Sequence, residues 1–485
     1  MRTMSSKSSH LRGPSGFSTA RRKEESCIIV ENRPYVPSLF VNLQAATVVN
    51  AARVILSNNN NNDIKTDTEV PLTDGNFDAK VSRMSGGLTN ALFMVHINKT
   101  TVLVRIFGAE GMIDRDIETA NFARLCHAKN SVVHRDLDYL GRFGNGRVET
   151  LISNMRAATV CDLRTDGERL ALEVTRQMAR LHHQFDIPEY LLEGDSSSQH
   201  EGGMDHCRKP VMWDVLSSWK DELVSSITQA CSTDYRLVDI FVLALFGYTL
   251  RLDSIISECD IDGDKNNESR LTIVMSHIEQ QLTKEIRWIQ DYILTQHPDA
   301  PLAFCHNDIN AANILYSENS KCYDEDSVAL IDYEYGAINY AMYDLANFIC
   351  EHCGGNDNGI PDYNLIPSLE MQRKFVKEYI LEKDRILQTT TTTTTTTPDE
   401  QEESPSRFLS EVQTFQLLSH LYWGYWGILQ GAKELSSETY YEVENIKLKL
   451  LGEVEHNKWD NLRYGKNRLA RYRKQKQSML VMNEM

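Results

Sequence analysis

The sequence predicts an α+β fold made of two lobes, a small β-rich lobe followed by a larger, mainly helical lobe. Short apolar and β-branched runs dominate residues 80–152, as in "ALFMVHI" and "TVLVRIF", which the turn signal "NKT" separates. From Leu170 onward, apolar residues recur at helical spacing, as in "LALEVTRQMARLHHQF". A chain of 485 residues is long enough to give each lobe its own apolar core.

The composition divides the chain into three parts. Residues 1–33 form a basic tail rich in Ser and Arg, residues 34–152 form the N-terminal lobe, and residues 153–485 form the C-terminal lobe. Within the last part, residues 388–407 are a low-complexity insert that contains a run of threonines and "PDEQEESPS". Such a segment has too little apolar surface to offset the entropy lost on ordering, so we expect a disordered linker there.

The basic tail and the cysteines bear on localisation. No acidic residue precedes Glu24, and the tail lacks the apolar segment of a secretory signal. That composition suits an organelle transit peptide, although basic, Ser-rich disordered tails share it. The ten cysteines show no framework spacing, which agrees with reduced thiols in the cytosol. We therefore expect a cytoplasmic protein, with a cleaved transit peptide as the alternative.

Charge and hydropathy exclude two classes of partner. A formal net charge of −17 argues against non-specific binding to nucleic acid or to anionic membranes. The apolar stretch "IFVLALFGYTL" has about eleven residues, fewer than the roughly 18–20 that a membrane span needs. It is bounded by Asp239 and Arg251, so it predicts a buried helix and no membrane span.

The stretch "FCHNDINAANIL" contains the first chemical motif. His306 and Asp308 are followed, after four more residues, by Asn313. Phosphoryl transfer to a hydroxyl needs a carboxylate that accepts the proton and oxygen ligands that hold Mg²⁺. Asp308 has the position of the proton acceptor and Asn313 that of a metal ligand, while His306 braces the loop. Three fixed positions also arise by chance, so this stretch alone leaves an ordinary loop open.

The next segment, "SVALIDYEYGAINY", begins with an apolar strand that ends at Asp332. An Asp at the end of a short strand after the catalytic loop is where a kinase holds its main Mg²⁺ ligand. We therefore interpret Asp332 as the first metal ligand and Asn313 as the second. An Asp that merely terminates a strand is the alternative, against which the order of both motifs argues.

Two upstream features suit phosphate binding. In "RMSGGLTN", glycines would let backbone N–H groups approach phosphate oxygens, with polar side chains beside them. The candidates in this turn are Ser85, Gly86, Gly87, Thr89 and Asn90. In "TVLVRIF", Arg105 has the position of a phosphate-binding cation, and Glu118 in "DRDIETANF" is its predicted helical partner. A plain hairpin turn and an exposed strand Arg are the alternatives when each signal is taken alone.

Together, "SGGLTN", "VLVRIFG", "GNGRVE", "CHNDINAANIL", "LIDYEYGAINYAMYDLANFICEH" and "HLYWGYWGILQ" resemble the choline/ethanolamine kinase family, from about Pro34 to Lys474. The resemblance implies a bilobal, protein-kinase-like fold with a nucleotide-binding N-terminal lobe and a catalytic, amino-alcohol-binding C-terminal lobe. It implies phosphorylation of choline or ethanolamine with ATP and Mg²⁺, the first step of the CDP-alcohol route to phosphatidylcholine or phosphatidylethanolamine. It also allows a homodimer.

The resemblance places Trp423 and Trp426 in the wall of the amino-alcohol pocket. Residues three apart on a helix share a face, and aromatic faces with a nearby carboxylate hold a quaternary ammonium. Glu351 would be that carboxylate and Tyr464 a further aromatic wall residue, while Glu334 would lie near the metal and phosphates. Plain core packing is the alternative for the Trp pair.

The resemblance also gives Asp344 a structural role. A buried carboxylate without partners is costly, so Asp344 should brace the catalytic loop by hydrogen bonds. Two other functions compete with an amino-alcohol kinase: a related aminoglycoside-phosphotransferase-like kinase and a non-catalytic pseudokinase. The Trp pair and Glu351 argue against the first. The presence of Asp308, Asn313 and Asp332 argues against the second. The choice between choline and ethanolamine stays open.

Overall fold

The chain divides into two units. The first contains Met1–Arg156, Gln184–Lys209 and Ser317–Ile338, and the second contains Ala157–His183, Pro210–Tyr316 and Asn339–Met485. The structure, a computed structural model, describes residues 33–60, 79–84, 90–108, 113–128, 132–165, 168–187, 209–247, 267–318, 320, 323–355, 358–390, 398–437, 442–454 and 458–484. The predicted basic tail therefore lies outside the described residues, apart from Arg33.

The described residues form strands and helices that follow one another along the chain. The strands are β1 (Tyr35–Val36), β2 (Ala79–Arg83), β3 (Asn90–Ile97), β4 (Thr100–Phe107), β5 (Tyr139–Phe143), β6 (Gly146–Thr150), β7 (Arg156–Ala157), β8 (Leu302–Cys305), β9 (Ile314–Tyr316), β10 (Val328–Leu330) and β11 (Ala337–Tyr340). The α-helices are α1 (Ala45–Asn60), α2 (Arg115–Cys126), α3 (Arg169–Gln184), α4 (Met212–Thr233), α5 (Leu237–Phe246), α6 (Asn267–Gln296), α7 (Ala341–Glu351), α8 (Leu369–Thr390), α9 (Pro398–Ser437), α10 (Val443–Leu451) and α11 (Asn461–Glu484).

A six-stranded sheet in the order β1-β5-β6-β4-β3-β2 forms the body of the first unit. β3 and β4 make the antiparallel hairpin that "NKT" predicts, and β4 pairs on its other side with β6. Because side chains alternate along a strand, Val102, Val104 and Ile106 of β4 point into an apolar core that α1 completes. Arg105 lies on the opposite face, so one side of the sheet is apolar and the other can carry charge.

α2 begins where the sequence supplies a cap. The side chain of Asp114 accepts the backbone N–H groups of Asp116 and Ile117, two donors that the helix itself leaves unpaired. Further along α2, Asn121 Nδ2 donates to the carbonyl of Gly336 at 3.1 Å. This bond ties α2 to the segment that follows β10, which contains Asp332.

The second unit is mainly helical, and α9 runs through its core. Helices α4, α7, α8 and α11 all pack against α9, whose residues from Val412 to Leu429 are almost all buried. Glycines let α9 and α11 approach closely: a Cβ on Gly427 would lie 2.8 Å from the Cα of Gly465. The spacing of "YWGYWGILQG" therefore fixes a close helix crossing beside the two tryptophans.

The structure tests two predictions about individual segments, the apolar stretch from Ile240 and the insert at residues 388–407. The apolar stretch from Ile240 lies in the buried helix α5, as predicted. In the described ranges, no helix combines the length and the apolar character that crossing a bilayer demands. The expectation of a disordered linker at residues 388–407 is wrong for its described part, which is helical. Glu and Gln are good helix formers, and buried residues from Phe408 onward anchor α9.

Candidate active site

Arg105 has its guanidinium between two carboxylates of the first unit. Its Nε and Nη2 donate to Glu149 Oε1 at 3.3 and 3.2 Å, and its Nη1 donates to Asp332 Oδ1 at 2.8 Å. Burial alone would lower the pKa of Arg105, but the charges of Asp332 and Glu149 raise it above its ordinary value. A permanently charged group thus stands where the sequence predicts a phosphate-binding cation.

The predicted pairing of Arg105 with Glu118 is wrong. Glu118 Oε1 accepts from Arg147 Nη1 at 2.6 Å, and its Oε2 accepts from Arg115 Nη1 at 2.7 Å. Arg147 stands directly opposite Arg105 on β6, and Glu149 is the next residue on the same face. Diagonal neighbours across a strand pair lie within reach of long side chains, so a strand glutamate takes the position predicted for the helical one.

Asp332 and Glu334 flank the start of a short 3₁₀ turn after β10. Asp332 adopts the left-handed backbone conformation, with φ 66° and ψ 59°, which is strained for a non-glycine residue and typical of functional positions. Glu334 Oε2 accepts from Asn90 Nδ2 and from Arg115 Nη1, each at 3.0 Å. The first unit thus brings Asn90, Arg105, Asp332 and Glu334 into one polar cluster.

The predicted glycine turn lies outside the described residues. This concerns Ser85, Gly86, Gly87 and Thr89, whereas Asn90 begins β3. Phosphate binding by these residues stays a prediction, and so does a direct role of Glu118 toward the nucleotide.

In the second unit, Asp344 of α7 holds the loop that precedes Asp308. Its Oδ2 accepts the backbone N–H of His306 and its Oδ1 that of Asn307, both at 2.7 Å. The prediction that Asp344 braces this loop is confirmed. Asn307 has a left-handed φ of 67°, and its Oδ1 accepts from Asn339 Nδ2 at 2.7 Å. The brace therefore maintains a strained residue directly before Asp308.

A histidine that the sequence analysis did not single out extends this brace. His182 Nε2 lies 3.0 Å from Asp344 Oδ2, and its Nδ1 lies 2.9 Å from the Tyr379 hydroxyl. The side chains of His182, Cys305 and Asp344 lie close enough together to bind a metal ion. Because both ring nitrogens of His182 already have partners, hydrogen bonds satisfy the cluster without an ion.

Asp308 itself is oriented by amides. Asn313 Nδ2 donates to its Oδ2 at 3.0 Å and to its carbonyl oxygen at 2.9 Å, and Asn310 Nδ2 donates to its Oδ1 at 3.2 Å. The buried His306 accepts the N–H of Asp308 through Nδ1 at 3.3 Å, in the bracing position predicted for it. A neutral donor lowers the basicity of a carboxylate less than an adjacent guanidinium does. This environment suits a proton acceptor.

The three aromatic residues predicted for the pocket wall lie together. The rings of Trp423 and Trp426 meet edge to face with centroids 5.8 Å apart, and Trp426 meets Tyr464 at 6.3 Å. Trp423 Nε1 donates to Asn347 Oδ1 at 2.8 Å, which fixes the orientation of its ring. Whether these rings hold a substrate stays a prediction.

The carboxylate of Asp308 acts electrostatically on the same aromatic group. Burial raises the pKa of Tyr343, Tyr422 and Tyr464, and the negative charge of Asp308 raises it further. The rings of Tyr422 and Trp423 also meet edge to face, with centroids 5.3 Å apart. The predicted proton acceptor and the aromatic residues thus belong to one neighbourhood of the second unit.

Glu351 has a partner that the sequence analysis missed. Its Oε1 accepts from Arg468 Nη1 at 2.7 Å, and both side chains are buried. Arg468 Nη2 donates further to Ser419 Oγ at 2.8 Å, and its guanidinium lies 5.7 Å from the centre of the Tyr464 ring. In "NRLARYRKQK" nothing in the sequence distinguishes this Arg from its basic neighbours. The pairing reduces the negative charge that Glu351 offers to a cation.

The two predicted Mg²⁺ ligands have a suitable chemistry. Both offer oxygen atoms, which Mg²⁺ prefers. The amide nitrogen of Asn313 is engaged by Asp308, which leaves its Oδ1 as an acceptor. Asp332 keeps 18% of its side-chain surface exposed, so an ion can reach it. The donors present therefore fit the metal that the resemblance implies.

The fold is that of solved small-molecule kinases. A choline kinase from Cryptosporidium parvum Iowa II is 20% identical, with a TM-score of 0.51 over 84% of this chain and 91% of that one. An ethanolamine kinase from Plasmodium vivax is 19% identical, with a TM-score of 0.55 over 96% and 95%. The predicted α+β, protein-kinase-like fold is confirmed.

Sequence comparison gives the family. The model of the choline/ethanolamine kinase family matches residues 81–473. Probable choline kinase 3 of Arabidopsis thaliana is 26% identical over 383 residues, which cover 76% of this chain and 85% of that protein. Probable ethanolamine kinase of the same plant is 28% identical over 358 residues, 72% of each chain. The chain belongs to the choline/ethanolamine kinase family, and is thus an ATP-dependent phosphotransferase with an alcohol acceptor.

Proposed function

We propose that this protein transfers the terminal phosphoryl group of ATP to the hydroxyl of choline and, less efficiently, of ethanolamine. The observation that carries the proposal is the environment of Asp308. Amide groups of Asn310 and Asn313 orient its carboxylate, and its charge acts on the buried tyrosines around Trp423. A proton acceptor beside aromatic rings suits an alcohol that carries an ammonium group.

Each polar residue then has one task in the transfer. Asp308 accepts the proton of the substrate hydroxyl as the oxygen forms its bond to the terminal phosphorus and the bond to the leaving ADP oxygen breaks. Arg105 supplies fixed positive charge for the phosphates. Asp332 and Asn313 would hold Mg²⁺, which neutralises charge on the phosphate oxygens. The product, phosphorylated choline or ethanolamine, begins the CDP-alcohol route to the corresponding phospholipid.

The preference for choline follows from the pairing of Glu351. A primary ammonium needs hydrogen-bond acceptors, whereas a quaternary ammonium has no N–H group and is held by aromatic faces. Arg468 already neutralises Glu351. The rings of Trp423, Trp426 and Tyr464 therefore supply the main attraction for the substrate cation.

The test is an ADP-release assay with purified protein, ATP, Mg²⁺ and either alcohol, with the phosphorylated product identified by mass. A panel of sugars and aminoglycosides serves as the comparison. We expect turnover with both alcohols and a higher kcat/KM for choline. Release of ADP with neither alcohol would show the proposed activity to be wrong, and an equal or higher kcat/KM for ethanolamine would overturn the preference.

A further inference from the structure

Arg147 is a buried cation that the proposed chemistry leaves without a task. It stands on β6 in the segment "GNGRVE", opposite Arg105 across the β4–β6 pair. Its side chain is 1% exposed, and its guanidinium lies 4.3 Å from the centre of the Phe122 ring. Burying a charge is costly unless it is fully paired, so this arrangement calls for an explanation beyond packing.

Two carboxylates pair with this guanidinium at its two ends. Its Nη1 donates to Glu118 Oε1 at 2.6 Å, and its Nε donates to Glu149 Oε2 at 2.9 Å. Glu149 in turn accepts from Arg105 through its other oxygen. Burial would raise the pKa of the Glu118 and Glu149 carboxyls, but the neighbouring guanidiniums hold it below the ordinary value, so both are charged.

The pairs form a chain of alternating charge that returns to its starting segment. From Asp332 it runs through Arg105, Glu149, Arg147, Glu118 and Arg115 to Glu334, two residues from where it began. Four carboxylates face three guanidiniums, a formal sum of −1 (3 − 4). Arg147 is the central cation of the three. Its two ion pairs connect Glu118 of α2 to Glu149 of β6.

We propose that Arg147 is a positioning residue for the polyphosphate of a nucleoside triphosphate bound with a divalent cation. Arg147 donates to Glu149 Oε2, the oxygen that Arg105 does not contact. Arg105 therefore keeps its remaining N–H groups directed toward Asp332 and an incoming phosphate. Through Glu118 it also links the position of α2 to that of Arg105. The inference rests on the use of ATP in the proposed function.

The geometry of the network explains why a plain cation does not suffice, because Arg147 serves Glu118 and Glu149 through different nitrogens. Without Arg147, Glu149 would keep only Arg105 as its partner and Glu118 only Arg115, and the added negative charge would draw Arg105 toward Glu149 and away from the phosphates. A Lys keeps the charge, but it is a compact point charge and lacks the planar fork that serves two carboxylates at once. Arg147→Lys therefore separates the geometry of the network from its net charge.

The test compares Arg147→Lys with a matched control, Arg142→Lys. Arg142 stands on the neighbouring strand β5 and also pairs with α2, donating to Asp116 Oδ1 at 2.6 Å, but it is outside the chain that leads to Arg105. We expect Arg147→Lys to raise both the KM for ATP and the calorimetric Kd of Mg·ATP by about 10- to 100-fold. The KM for choline should stay within about twofold in both variants.

Three outcomes would overturn the proposal. They are an unchanged Kd for Mg·ATP in Arg147→Lys, an equal rise in the KM for choline, and an equal rise in Kd in Arg142→Lys. If Arg147→Lys does not fold, as judged by thermal unfolding, Glu118→Gln decides, because it keeps the size of the side chain but removes one charge and one of the two hydrogen bonds that the carboxylate accepts. Its Kd for Mg·ATP should rise as well, and an unchanged value refutes the link through α2.

The calorimetric titration contains no alcohol, so it remains decisive if neither choline nor ethanolamine is a substrate. A double-mutant cycle with Arg105→Lys adds a readout that a merely structural role would not give. If Arg147 acts through Arg105, the two substitutions together weaken Mg·ATP binding by less than the product of their separate effects. A simple product of the two effects contradicts the proposal.

Discussion

The two units hold their predicted reactive carboxylates in opposite ways. Asp332 of the first unit pairs with the buried guanidinium of Arg105, within a chain of ion pairs. Asp308 of the second unit is oriented by amide groups, and its loop by the backbone bonds to Asp344. A full charge holds Asp332, and the amides of Asn310 and Asn313 hold Asp308.

The difference matches the chemistry proposed for each carboxylate. A group that binds a metal ion and phosphates exchanges one charged partner for another when the ligand arrives, so ion pairs suit it. A proton acceptor must keep its basicity, and a guanidinium beside it would lower its pKa. The same residue type thus lies beside a guanidinium in one unit and beside amides in the other, as the two proposed tasks require.

The largest expected effect that tests this contrast is a fall in kcat when Asp308 is replaced. In Asp308→Asn, the side chain keeps its shape, but its NH₂ group cannot accept one of the two amide contacts, and the neutral side chain cannot take up the hydroxyl proton. We expect kcat to fall by about 10²- to 10⁴-fold while the KM for choline changes little. The matched control is Asp362→Asn, an exposed Asp of the same unit that accepts only a local turn N–H from Asn364. A folded Asp308→Asn variant with near-normal turnover would rule out Asp308 as the proton acceptor.

The next effect is on stability and tests the close packing of α9 against α11 in the second unit. In Gly427→Val, the new side chain meets the backbone of Gly465, so α9 and α11 must separate. We expect a loss of about 1–3 kcal/mol in the free energy of unfolding, measured by denaturant titration. Gly452→Asn is the control, because a Cβ there meets nothing within 4 Å and Asn tolerates the left-handed φ of 79°. Equal stability of the two variants would contradict the packing argument.

A smaller effect tests the aromatic wall. In Trp426→Leu, the pocket loses one ring face, and we expect kcat/KM for choline to fall by about 5- to 30-fold, the equivalent of 1–2 kcal/mol. The value for ethanolamine should fall less. Trp288→Leu is the control, because that ring already holds a cation of the protein, Lys476 Nζ at 3.9 Å. An equal loss for both alcohols in Trp426→Leu would show that the ring only fills space.

The smallest predicted effect is on the pH dependence of stability. Burial lowers the pKa of His183 and of His352 from 6.5 to about 4, so both are neutral when folded. The unfolded chain binds these protons below pH 6.5, and the stability that the neutral forms contribute falls as pH drops from 6.5 toward 4. From pH 7 to 6, the free energy of unfolding should fall by about 0.5–1 kcal/mol for each histidine. In His352→Leu this fall should be smaller, and an unchanged fall would refute the assignment.

The sequence predicted those parts of the site that local spacing determines. Asp308 and Asn313 contact each other because they lie five positions apart in one loop, and Trp423 and Trp426 adjoin because they lie three positions apart on one helix. The β3–β4 hairpin followed from its turn residues. Distances along the chain set these contacts, so a linear pattern is sufficient to find them.

Pairings between distant segments could not be predicted in this way. The sequence pointed to Glu118 as the partner of Arg105, whereas strand pairing brings Glu149 to it. Arg468 lies 117 positions from Glu351, in a helix with several other basic residues. On sequence grounds, any of these basic residues could pair with Glu351. The crossing of α9 and α11 at Gly427 and Gly465 selects Arg468.

The sequence by itself thus determined the fold class, the order of the motifs, and which side chains are candidates for the chemistry. The tertiary structure alone decided which charges neutralise one another: Arg147 between two glutamates, Arg468 on Glu351, and Arg105 on Asp332. The physical reason is that the cost of a buried charge depends on its partners in space, and strand register and helix crossing select those partners.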